Sequence, residues 1–150
     1  MKSFRLFLKE SQLKESVTIS DFVNFASNHL GITNPPRVRL MDEKQDGMTT
    51  ASYNLNDSEI SIVSNGRRFM DVCRSIAHEL VHQKQHQKLG DPSLLDGNTG
   101  SPHEDEANME AGRIIRKYGE MYPDFYHISP KESSTLYNSY IDAKRKTPSV

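Results

Sequence analysis

The chain has one cysteine in 150 residues, which excludes an intramolecular disulfide and suits a reducing compartment. It has no apolar run approaching the ~20 residues that cross a bilayer, so no stretch reads as a membrane span. It has almost no net charge. Nineteen Lys and Arg stand against 20 Asp and Glu, and the formal −1 gives no general pull toward nucleic acid or an anionic membrane. Apolar residues are also sparse, at 35% of the chain with a mean hydropathy of −0.70, which implies a modest core under well-solvated loops. Internal repeats and glycine-rich phosphate loops are missing. The length suffices for one compact domain and is too short for two with cores of their own.

What the chain does contain is His78-Glu79-Leu80-Val81-His82, within a longer helical run from Phe69 to His86. Ile76, Ala77, Leu80 and Val81, with Val72 and Cys73 a turn earlier, recur at spacings of three and four and mark a buried stripe. His78 and His82 flank it. Residues four apart on a helix lie one above the other, so both imidazoles can reach one point with Glu79 beside it. Two neutral imidazoles suit zinc, and the neighbouring carboxylate can take a proton from water on the metal. Six histidines in 150 residues make an accidental match at this spacing rare. Cys73, on the apolar face, reads as core rather than nucleophile or ligand.

A catalytic zinc site needs a third protein ligand and an open fourth position. His86 does not qualify, because three ligands a turn apart on one straight helix lie in a row and cannot form three corners of a tetrahedron. The alternative source is His103-Glu104-Asp105-Glu106-Ala107-Asn108-Met109-Glu110-Ala111. There Ala107, Ala111, Ile114 and Ile115 form a stripe narrow enough for close approach to the His78 helix, and Glu104 shares the Ala107 face. Glu104 is the expected third ligand, with Glu106 its competitor and Glu110 a weaker one. Acidic residues at a helix start also serve the helix dipole.

His-Glu-x-x-His is the zincin motif, and with the downstream Glu-x-x-Ala-Asn at Glu104 to Asn108 the chain resembles the gluzincin metallopeptidases, including small phage-associated ones. The resemblance spans residues 75–115. It implies a zinc metallopeptidase: His78, His82 and Glu104 hold Zn2+, Glu79 activates zinc-bound water for peptide-bond hydrolysis, and a Tyr or His stabilises the oxyanion. His127 is the candidate for that last role, with Tyr126 and Tyr122 beside it in an aromatic loop.

The rest of the chain reads as follows. Residues 17–30 form a helix capped by Ser20 or Asp21, with Phe22, Val23, Phe25, Ala26 and Leu30 inward and Gly31 as its stop. Residues 37–42, 49–55 and 59–63 read as strands, with Asp46-Gly47 and Asn56-Asp57-Ser58 as turns. The motif helix stops near Gly90, residues 91–102 are a loop, and Pro130 opens a last helix with Leu136, Tyr137, Tyr140 and Ile141 inward. Residues 1–10 are too short and too charged for a secretory signal. They read as an amphipathic helix docking Phe4, Phe7 and Leu8. They also resemble the capsid-targeting peptides of contractile-tailed bacteriophages, which end in Leu/Ile-x-Glu, here Leu8-Lys9-Glu10; that resemblance implies removal after Glu10.

The fold class expected is α+β: a single small zincin-like domain over residues 11–150, with a short antiparallel sheet followed by an active-site helix and a third-ligand helix. The expected partner is a peptide or protein substrate, with phage prohead components added if residues 1–10 are a targeting peptide. Nucleic acid and membrane are not expected. Location would be host cytoplasm or phage capsid interior. The competing expectation is a protein that keeps the fold and binds zinc or a capsid or host partner without turnover.

Overall fold

Ile60 and Ile62, fully buried on the central strand of a three-stranded sheet, form the floor on which the helix bearing His78 lies. A computed structural model of the chain describes residues 18–43, 50–54, 57–90 and 101–146. The docking or targeting role of residues 1–10, the Asp46-Gly47 turn and the loop over residues 91–100 lie outside the described residues. The order of elements is α1 (Ile19–Leu30), β1 (Arg37–Met41), β2 (Ala51–Asn54), β3 (Glu59–Val63), α2 (Phe69–Leu89), α3 (Pro102–Met121), a 3-10 turn (Pro123–His127) and α4 (Pro130–Lys146).

The α+β arrangement is the expected one: a sheet, then a helix carrying His78 and His82, then a helix carrying Glu104. The sheet is mixed, in the order β1-β3-β2. The pair β2–β3 is antiparallel and β1–β3 parallel. The chain passes from β1 to the far edge at β2 and returns into the middle as β3, and a strand that returns by way of another strand must run parallel to the first. The register keeps period-two alternation across all three strands. Val38 and Leu40 lie beside Ile60 and Ile62, which in turn lie beside Tyr53 and Ala51, and this row faces the helices. On the outer face Glu59 meets Arg37 and Arg39 at 4.0 and 3.8 Å.

Helix α1 is capped two residues before Ser20, the earlier of the two expected caps. Thr18, extended at φ −128°, caps it by accepting the Asp21 N–H at 3.1 Å, which places Ser20 and Asp21 inside the first turn. Gly31 ends it at φ +74°. Helix α2 has 21 residues with no proline or glycine inside, and Gly90 stops it at φ +76°. Its expected stripe is buried in full: Val72, Cys73, Ile76, Ala77, Leu80 and Val81. Each of the larger of these contributes roughly 1.5–3 kcal/mol by leaving water.

Helix α3 begins at Ser101, whose hydroxyl accepts the Glu104 N–H at 3.2 Å, with Pro102 in its first turn. It lies along α2 in the opposite direction. Gln85 near the end of α2 meets His103 at the start of α3, while Phe125, just past the end of α3, packs on Phe69 at the start of α2. Ala107 and Ala111 are buried, and such small side chains let two helices approach closely. Gly119 is a second close approach: a Cβ there would collide with the Tyr126 ring.

The core is closed by Phe22, Phe69, Tyr118 and Phe125, whose rings meet mostly edge-on at 5.0–6.4 Å. Helix α4 fastens the assembly with three hydroxyls. Ser133 accepts the Phe69 N–H at 2.9 Å, Tyr137 donates to the Arg67 carbonyl at 3.0 Å, and Tyr140 donates to the Val38 carbonyl at 2.7 Å. No helix among the described residues is long and apolar enough to cross a membrane.

Candidate metal centre

Local structure aims the donors. The spacing of four puts His78 and His82 on one edge of α2, with ring centroids 4.6 Å apart. Glu104 reaches them because Ser101 fixes where α3 begins, which sets the carboxylate at the third helical position facing α2. His78 Nε2 lies 2.8 Å from Glu104 Oε1, His82 Nε2 lies 3.0 Å from Glu104 Oε2, and the two Nε2 atoms are 3.0 Å apart. The three side chains keep 19, 17 and 20% of their surface exposed, so the point they share is reachable from solvent.

Chemistry and size both fit a divalent cation. His82 Nδ1 lies 2.8 Å from Gln85 Oε1, which can only accept, so the neutral ring that fits this contact has its proton on Nδ1 and its lone pair on Nε2, toward the centre. Asn108 hydrogen-bonds the His78 ring as an acceptor, in the sense that favours its protonated form. Electron-pair donors this close repel one another unless a proton or a cation lies among them. Bonds of ~2.0–2.2 Å to zinc place tetrahedral ligand atoms about 3.3–3.6 Å apart, so side-chain shifts of well under an ångström would open the present separations to admit the ion. Two imidazoles and a carboxylate with one side open is the donor set of a catalytic rather than a closed structural zinc site. These three are the one such group among the described residues, and they are consistent with a gluzincin-type site.

Electrostatics follow from the crowding. His78 is held below its usual value by burial and by the neighbouring His82, with Glu104 and Asn108 opposing. The Glu79 carboxyl is pushed up to about 7, by burial first; the nearby His82 lowers it and Glu104 raises it. A carboxyl poised there can exchange a proton near neutral pH.

Comparison of the chain with protein-family models, with curated proteins and with solved structures gives no match. The functional reading therefore stands on the geometry and on the motif.

The other carboxylates on α3 are engaged elsewhere. Glu106 accepts from Gln85 Nε2 at 3.0 Å, and Glu110 pairs with Arg113 at 2.8 Å and lies 3.6 Å from His29 on α1. His86, a turn beyond His82, is not among the converging donors. Cys73 is fully buried, and burial pushes its thiol well up, as expected of a core residue.

His127 is exposed in the 3-10 turn, which Phe125 anchors to Phe69 with ring centroids 5.8 Å apart. His127 is not among the donors that converge with His78, His82 and Glu104. Its two neighbours are engaged in packing. The Tyr126 hydroxyl donates to the Ile115 carbonyl at 3.2 Å, and Tyr122 packs on Tyr118 at 5.0 Å.

Gln85 and Asn108 were not foreseen. Asn108 lies within the Glu-x-x-Ala-Asn pattern and so had a signal. Gln85 had only its position three residues after His82, which a polar residue on any helix could occupy.

Proposed function

We propose that this protein is a zinc-dependent peptidase in which His78, His82 and Glu104 hold the metal and Glu79 is the general base. The observation that carries the reading is the open three-donor triangle with the Glu79 carboxyl, pushed up to about 7, next to it. A zinc ion bound there would supply Lewis acidity, lowering the pKa of water toward ~7 and polarising the substrate carbonyl. Glu79 accepts the proton of the attacking water as the new carbon–oxygen bond forms, then delivers it to the amine nitrogen as the peptide bond breaks. Its partial burial keeps competing water away from that proton. The hydrogen bonds of His82 to Gln85 and of His78 to Asn108 hold the imidazoles in place.

A second reading, a zinc-holding protein without turnover, is favoured by one observation: Tyr122 and Tyr126, two of the three candidates for oxyanion stabilisation, are committed to packing. One experiment separates the two. Glu79→Gln should keep one equivalent of zinc and lower the rate of peptide hydrolysis by about 10²–10⁴, whereas Glu104→Ala should lose the zinc. Equal cleavage by Glu79→Gln and parent would attribute the proteolysis to a contaminant. Zinc uptake without cleavage by either would establish the second reading. A phage context rests on two resemblances alone, that of residues 1–10 to capsid-targeting peptides and that of residues 75–115 to small phage-associated metallopeptidases.

A further inference from the structure

Gln85 is 5% exposed, near the end of a helix whose neighbouring surface positions Lys84, Gln87 and Lys88 are exposed. A buried primary amide must satisfy two N–H groups and a carbonyl. Each is accounted for. Nε2 lies 2.8 Å from the His103 carbonyl and 3.0 Å from Glu106 Oε1, while Oε1 lies 2.8 Å from His82 Nδ1. The orientation of the amide is forced by its partners, because the His103 backbone carbonyl can only accept. The NH2 group must face α3, and the oxygen must then face His82. An oxygen can only accept, so His82 Nδ1 must carry a proton, and in the neutral ring Nε2 is then the nitrogen that keeps the lone pair.

We propose that Gln85 is a positioning residue that couples the docking of α3 to the tautomer of His82. The same side chain that clamps the first turn of α3, and so brings Glu104 to the centre, prepares the His82 Nε2 lone pair to receive a metal. Without the α3 acceptors the amide is free to rotate and to present either its oxygen or its NH2 group to His82. With them it presents only the oxygen. Glu106 thereby acts as an anchor of the clamp. This inference rests on the metal-site reading for its consequence, yet its structural half concerns the metal-free chain.

The test uses the full-length protein with two substitutions. Gln85→Leu fills the buried volume and removes every hydrogen bond. Gln85→Glu keeps an acceptor toward His82 and removes the NH2 clamp. The tautomer is read from ring-nitrogen shifts in long-range 1H–15N spectra of chelator-treated protein, and zinc affinity from competition with a chromophoric chelator. In the parent, His82 should carry its proton on Nδ1. Gln85→Leu should shift it to a mixture with Nε2–H and weaken zinc binding about 10–100-fold. Gln85→Glu should keep the Nδ1–H form, and this arm decides the matter if the leucine variant does not fold.

A folded Gln85→Leu protein with unchanged tautomer, or with zinc affinity equal to the parent's, overturns the proposal while leaving the metal site standing. So does a Gln85→Glu protein in which His82 moves to Nε2–H. A parent that takes up no zinc but holds His82 as Nδ1–H defeats the metal-site reading alone.

Discussion

Glu79 and His78 are neighbours whose charges respond to burial in opposite directions, and the metal-free protein should show it. A carboxyl pushed up to about 7 keeps its proton in the folded chain at pH values where the unfolded chain, near 4.5, has lost it. Stability from this group is therefore complete below pH 4.5 and lost as pH rises through about 7. His78 is lowered from 6.5, so the unfolded chain takes up the proton first as pH falls. Its contribution is present above 6.5 and lost below. Replacing Glu79 by Gln removes the first slope and leaves the second. Urea midpoints of chelator-treated protein, measured from pH 4 to 8, should fall toward neutrality for the parent relative to Glu79→Gln. Parallel curves for the two proteins would sink this assignment of the titrating group.

Among the elements, α4 has the least predictable role. Its apolar positions Leu136, Tyr137 and Tyr140 were legible from helical spacing, but the hydroxyls that fasten it were not. Arg68 stands at the N-cap of α2 and gives no side-chain hydrogen bond there; Ser133, 64 positions along the chain from Phe69, supplies the acceptor instead. Ser133→Ala should leave a buried N–H without a partner and cost about 1–3 kcal/mol, whereas Tyr140→Phe, at a half-buried site, should cost about 0.5–1.5 kcal/mol. Equilibrium urea unfolding measures both. A Ser133→Ala protein as stable as the parent would mean that water reaches Phe69 N–H. Within α2 and α3, by contrast, the stripes from Val72 to Val81 and from Ala107 to Ile115 were readable, because their burial is set by a period of 3.6 that the sequence displays directly, although Phe69 and Tyr118, which extend them, were not singled out.

For the whole molecule, a ligand bound only by the folded chain stabilises it by mass action. The triad draws its donors from two separate helices, so the unfolded chain does not offer the site. Zinc at 100 times its dissociation constant should add about 2.7 kcal/mol, raising the melting temperature by several degrees for a chain of this length. Glu104→Ala should melt at a temperature nearly independent of zinc. A full zinc response in that variant would place the stabilising ion elsewhere.

The sequence by itself determined the parts that depend on local periodicity: the helix carrying His78 and His82 at a spacing of four, its buried stripe, and the stops at Gly31 and Gly90; it missed the Ser101 cap, reading residues 91–102 as a loop. It also pointed to Glu104, because a shared helical face is a local property. Tertiary structure decided what depends on residues distant in the chain. It separated Glu104 from Glu106 and Glu110, since only the docking of α3 fixes which carboxylate faces α2. It ran β1 parallel to β3, since strand order is not encoded in alternation. It left His127 in an exposed 3-10 turn and outside the converging donors, which its residue type could not reveal. Gln85 belongs to this second class, since its amide has a single allowed orientation only when the carbonyl of His103 and the carboxylate of Glu106 are brought against it.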